Sequence, residues 1–142
     1  MFLDQLLLWL HIAFAIFTLG PLTAATMATP RSIRSANVSV LRYLHRTTRI
    51  YGAASLLVFG FGLALALDRF NEFWVSASMT LFVVALALLF AIVEPDQRKA
   101  IRRLEESEEA KVETGRIVAV SAVIAVVWLV VLVLMIWQPG GP

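Results

Sequence analysis

Four stretches of this chain, Leu6 to Met27, Ile50 to Leu67, Phe73 to Val93 and Ile117 to Trp137, run almost without a charged residue. Each holds about 20 residues, which at roughly 1.5 Å of rise per residue is enough to cross a hydrocarbon layer about 30 Å thick. In hydrocarbon a backbone amide or carbonyl finds no water, so each segment must satisfy its own hydrogen bonds. That forces helix, because four short stretches are too few to close a barrel. The expected fold is therefore all-α: a polytopic membrane protein built as an antiparallel bundle of four transmembrane helices, one domain over residues 1–138. The Pro139-Gly-Gly-Pro142 tail is expected to be disordered. Composition agrees, with 60% hydrophobic and 15% charged residues, where soluble domains have roughly 45–50% and 25%.

The sequence contains no cysteine. Disulfide frameworks, thiolate-ligated metals and thiol redox chemistry are thereby excluded. The net charge is only +2, and the basic residues flank apolar segments, so membrane topology explains them and no nucleic-acid partner is expected. Arg31, Arg34, Arg42, Arg46 and Arg49 fall between the first two spans, and no acidic residue occurs between Asp4 and Asp68. Arg98, Lys99, Arg102, Arg103, Lys111 and Arg116 fall between the last two. Both connections share one side, and the excess of Lys and Arg places that side in the cytoplasm, with both termini outside. Trp9, Phe70, Phe73, Trp74 and Trp137 then gather toward the outer boundary, where aromatic side chains anchor. Asp4 takes the place of the basic residue a signal peptide would carry, so the first span is expected to be retained.

The connections differ in kind. Asp68 to Glu72 is short enough to make spans two and three a hairpin. Thr29-Pro30 reads as a helix end, and Ser32, Ser35 or Asn37 can cap the next helix, which then enters the second span directly. After Glu94-Pro95-Asp96 a helical run sets Ile101 and Leu104 on one side. Gly20-Pro21 removes the donor to the carbonyl of Phe17, so a kink is expected there, with Thr18 and Thr23 near the freed backbone.

Buried charge is the usual mark of function in a membrane. No Asp, Glu, Lys or Arg lies inside a span, which weighs against a proton-coupled exporter or permease. His11 is the exception, about 8–13 Å below the outer boundary. Its nitrogens need partners, and two readings stay open. In one, a hydroxyl such as Ser78 or Thr80 accepts its proton. In the other, it is an axial ligand of a b-type haem held between helices. At the same depth lie Gly60, Gly62, Met79, Thr80 and Trp128. The two glycines make room for a flat cofactor or for close helix packing, as Gly60–Ala64 and Gly62–Ala66 are small-xxx-small pairs. Met79 is the candidate second ligand. His45, the other histidine, stands near the opposite boundary and cannot share an iron with His11 in one chain.

Arg42, Arg46 and Arg49, with His45 beside them, form a basic stripe on the helix entering the second span. It can mark topology and touch anionic lipid headgroups, clamp an anionic ligand, or pair with Glu105, Glu106, Glu108 and Glu109 of the other connection.

The string Leu7-Leu-Trp-Leu-His11-Ile-Ala-Phe-Ala-Ile-Phe-Thr-Leu-Gly20, followed by the arginine-rich connection, resembles the opening of an uncharacterised bacterial four-helix integral-membrane family. It is more distantly similar to copper-resistance D-type proteins and to the haem-binding HemJ-type protoporphyrinogen oxidase. The resemblance implies a bacterial inner-membrane location and gives His11 the role of the first-helix histidine. Thr18-Leu-Gly20-Pro21 replaces a tryptophan followed by small residues, and the third span has no lysine, so haem binding rather than oxidase activity is what carries over. The expectation is a haem-binding, redox-associated membrane protein with no assigned catalytic residue. The alternative is a non-enzymatic scaffold or partner subunit, engaging a second copy or another membrane protein through its charged connections.

Overall fold

A computed structural model describes residues 2–139, and the tail expected to be disordered lies, apart from Pro139, outside the described residues. Five α-helices follow in order: α1 (Phe2–Arg34), α2 (Val38–Leu65), α3 (Phe73–Leu88), α4 (Glu94–Glu105) and α5 (Lys111–Trp137). A π-helical segment, Leu89–Val93, joins α3 to α4 without a break. The result is four long rods, residues 2–34, 38–65, 73–105 and 111–137, each long and apolar enough to cross a membrane. The described residues contain no strand, and the all-α four-helix architecture stands.

Most of each rod faces outward. Between 17% and 33% of the residues in the apolar windows are buried within the protein, and side chains such as Ile16, Phe17, Val126 and Leu129 lie exposed on the outside. A helix apolar on every side is suited to lipid. Association then depends on close packing and hydrogen bonds rather than on expulsion of water. The central packing unites Leu22, Val58, Phe82, Ala85, Leu89, Val93 and Ile124. A second cluster, Ile33, Leu41, Ala100, Ala110 and Ile117, closes the end that carries the arginines, with Ile101 and Leu104 against it.

The rods are not equally engaged. α1 lies along α2 and also touches α5, and α5 packs on α3. α2 and α3 are consecutive yet scarcely meet, whereas α2 packs on α4. The bundle is thus tight at the basic end and parted at the hairpin end, where α1 begins, α5 finishes and residues 66–72 turn.

Two helix boundaries differ from expectation. α1 runs through Pro21 and Pro30 to Arg34 without interruption. Each proline removes one donor, and near Pro30 the Thr26 and Thr29 hydroxyls bond to the carbonyls of Thr23 and Ala25, at 3.1 and 2.7 Å. Buried in the bundle, the segment keeps its helix because packing outweighs the local preference before proline. The next cap is Asn37, whose Oδ1 accepts from the Val40 amide at 3.2 Å. The third rod likewise continues past Val93, because the π turn bonds the Glu94 amide to the carbonyl of Leu89, one residue further back than an α-turn. Pro95, which has no amide proton to give, falls in the first turn of α4, directly after the π turn.

Candidate functional site

His11, in the third turn of α1, turns toward α2. Its Nδ1 lies 2.9 Å from the carbonyl oxygen of Val58. A carbonyl only accepts, so Nδ1 donates and the neutral ring carries its free lone pair on Nε2. Nε2 has no hydrogen-bond partner among the described residues. Gly62 permits this placement: a Cβ there would stand 3.0 Å from His11 Cε1 and 3.5 Å from Met79 Cε. The imidazole therefore rests against bare backbone, with the Met79 side chain alongside.

A cavity surrounds this point in the parted end of the bundle. Its vestibule, about 440 Å³, is walled by all four rods and the hairpin, with Val75 buried behind it and Asp4, Gln5, Asp68, Arg69 and Gln138 at the rim. An inner compartment of about 110 Å³ continues toward the core and is lined by Ala15, Leu19, Phe59, Phe82, Trp128 and Leu132. His11, Gly62, Ser78, Met79 and Met135 line both. Phe82 stacks on Phe59 with centroids 5.4 Å apart and tilts against Trp128 at 5.0 Å.

The structure thus brings together His11, Gly62, Met79 and Trp128. Gly60 and Thr80 are corrections: both are exposed on the outside of the bundle, and neither lines the cavity. Counting along the helices gives height and not facing: Gly60 lies two residues from Gly62, about 200° around the helix. Ser78 and Thr80 do not accept from His11 either, since the Val58 carbonyl fills that role. Phe59, Phe82 and Met135 escaped sequence reading because nothing in a uniformly apolar helix marks which face turns inward.

The basic stripe divides. Arg42 pairs with Glu105, which is the cross-connection pairing expected for that face. Arg46 is exposed, with no ionic partner among the described residues. His45 is instead turned inward, its Nε2 3.0 Å from Glu94 Oε1, with both side chains nearly buried. Arg98 reaches the same oxygen at 3.0 Å and Arg49 at 4.0 Å.

Beside Glu94 is a polar layer that no sequence motif announced. Gln97, fully buried, donates its amide to Thr29 Oγ1 at 2.9 Å and Thr48 Oγ1 at 3.0 Å. Both hydroxyls give their protons to carbonyls of their own helices. They can only accept from Gln97, which fixes the orientation of its amide. Asp96 is held by two hydrogen bonds from Arg116, at 2.9 and 2.6 Å. α1, α2, α4 and α5 are thereby tied at one level, and none of this layer reaches the His11 cavity. Among the described residues no group of His, Asp and Glu side chains could hold a metal ion.

Comparison with known proteins adds no identity: no family model, no curated protein and no solved structure matches the chain.

The donor chemistry at His11 suits a b-type haem. A neutral imidazole fixed through one nitrogen and free at the other is the usual form of a protein ligand to iron, since the second hydrogen bond sets tautomer and ring orientation. Gly62 leaves room for the ring itself, whose Cε1 and Nδ1 edge lies against its bare backbone. Arg69 at the rim can meet a propionate, although Asp4 and Asp68 share the rim with it.

Proposed function

We propose that this chain is an integral protein of a bacterial inner membrane that holds a b-type haem through His11, in a redox-associated role. The observation that carries the reading is the single one made at His11: Nδ1 is committed to the Val58 carbonyl while Nε2 is left free in a cavity. When bound, such a haem supplies one-electron transfer at its iron. The protein's own part is to fix the imidazole through Val58, to keep backbone clear at Gly62, and to surround the site with hydrocarbon that excludes water. Met79 and Met135 offer thioethers to the same space, so either can complete the coordination. With the basic connections assigned to the cytoplasm, the vestibule belongs to the outer leaflet. The resemblance of the first helix to haem-binding membrane families is consistent with this reading.

The test is a visible spectrum of the protein purified after expression with a haem supply. A Soret band is expected in the wild type and lost in His11→Ala, with both proteins eluting at the same volume in detergent. A colourless wild-type protein overturns the proposal. The scaffold reading draws less support, because much of the charge in the connections is engaged within the chain, in Arg42–Glu105, Arg103–Glu113, Arg116–Asp96 and the group around Glu94. Arg46 stays free for anionic lipid headgroups.

A further inference from the structure

We infer that the inner compartment is a binding site in its own right, for a neutral single-ring aromatic molecule bearing a hydroxyl, the chemistry of a membrane-dissolved phenol or quinol, with Ser78 as its polar contact. The inference goes beyond the haem reading and does not depend on it.

Size is the first ground. A dry apolar cavity of about 150 Å³ accepts benzene; this compartment of about 110 Å³ is not closed, since it shares Ser78 and Met79 with the vestibule and has half-exposed Leu132 in its wall. It suits one six-membered ring and is far too small for a macrocycle. Shape and surface are the second. Phe59, Phe82 and Trp128, packed on one another, form an aromatic cluster in its wall, and a further flat ring packs on such a cluster in offset or tilted contact.

The third ground is independent of both. Ser78 is 1% exposed, lines the vestibule and the compartment, and its hydroxyl has no hydrogen-bond partner. A buried serine on a helix ordinarily bonds back to a carbonyl of the preceding turn, as Thr29, Thr48 and Thr114 do in this chain. Ser78 does not. An unsatisfied hydroxyl within a nearly all-carbon wall is the feature a ligand oxygen would complete. The weak contact between α2 and α3 gives such a molecule a way in from the surrounding lipid.

The experiment compares phenol with toluene, which differ by the oxygen alone. Each is titrated into the protein in lipid nanodiscs, without haem, by saturation-transfer NMR, with empty nanodiscs correcting for partition. Saturable binding is expected, with phenol favoured over toluene by about tenfold, the size of one good hydrogen bond. Ser78→Ala should abolish that preference and leave toluene binding intact, whereas Ala15→Leu, which fills the compartment, should weaken both. No saturable signal above empty nanodiscs overturns the inference. So does an unchanged phenol preference in Ser78→Ala, which would mean that the phenol oxygen meets some other group. The same titration on His11→Ala separates the two proposals: phenol binding retained where no haem spectrum forms supports the compartment alone.

Discussion

Gly62 shows how little separates a site from a packed helix. In a helix, alanine for glycine is worth about 1 kcal/mol of added stability, but here the new methyl would press on His11 Cε1 at 3.0 Å. The imidazole must shift, and its bond to Val58 loosens. Gly62→Ala is therefore expected to leave the thermal midpoint in detergent within a few degrees while haem loading falls at least tenfold by the Soret-to-280 nm ratio. Equal loss of midpoint and loading would show that the glycine serves packing only. Gln97 poses the opposite case, a residue whose polarity is the point. Gln97→Leu removes two hydrogen bonds and should cost about 1–3 kcal/mol. Gln97→Glu sets a carboxylate beside hydroxyls already committed to their helices, and the loss at neutral pH should be larger. That burial raises the new carboxyl's pKa, so stability should return as the pH is lowered and the group protonates. A Gln97→Glu protein equally stable at pH 5 and pH 8 would contradict this account. His11 itself was legible in the sequence as the one titratable group well inside a span. Its partner was not, since a backbone carbonyl of Val58, 47 residues away, becomes available only through the rotation of α2 about its own axis.

Among the elements, the junction of α4 and α5 carries the clearest pH dependence. Glu113, 3% exposed in the first turn of α5, accepts from Arg103 of α4. Burial works to raise its carboxyl, but its own backbone amide, the Arg103 hydrogen bond and the charges of Arg103 and Arg116 outweigh that and hold it below the ordinary value of 4.5. A carboxyl depressed on folding contributes its stability in full above the unfolded value and loses it as pH falls through the folded one. The turn at 106–110 should therefore keep constant hydrogen-exchange protection, corrected for intrinsic rates, from pH 7 to about pH 5, and lose it progressively below the ordinary carboxyl value. Glu113→Gln should lower protection at neutral pH and remove that acid step; an acid step of unchanged size in the variant would assign it to other carboxylates. The helices themselves were readable, because apolar runs of spanning length leave no alternative in hydrocarbon. The length of α1 was not: Pro30 is a local stop signal, overruled by contacts with other rods that no local rule includes.

At the scale of the molecule, the proposed orientation sets the end rich in arginine and lysine in the cytoplasm. An alkaline phosphatase and green fluorescent protein pair of reporters tests this directly. Fluorescence is expected from insertion near Glu106, and phosphatase activity from fusion after Pro142; the reverse pattern would invert the topology and move the vestibule to the inner leaflet. The asymmetry of the bundle follows from chemistry as well. Polar side chains that must be paired, Gln97, Asp96, Glu94 and their partners, draw the rods together at one end, whereas at the other the His11–Val58 hydrogen bond joins α1 to α2 amid apolar contacts, and a seven-residue turn from Ala66 to Glu72 separates α2 from α3. By itself the sequence determined the four rods, the absence of thiol chemistry, the sorting of charge to the ends and the depth of His11, because length, hydropathy and composition act along the chain. Only the tertiary structure decided that Gly62 and Met79 face His11 while Gly60 and Thr80 do not, that Val58 fixes the imidazole, and that an aromatic compartment lies beneath it. Those outcomes depend on how each helix is turned about its axis, and a helix apolar on every side carries no periodic signal to set that angle until its neighbours are in place.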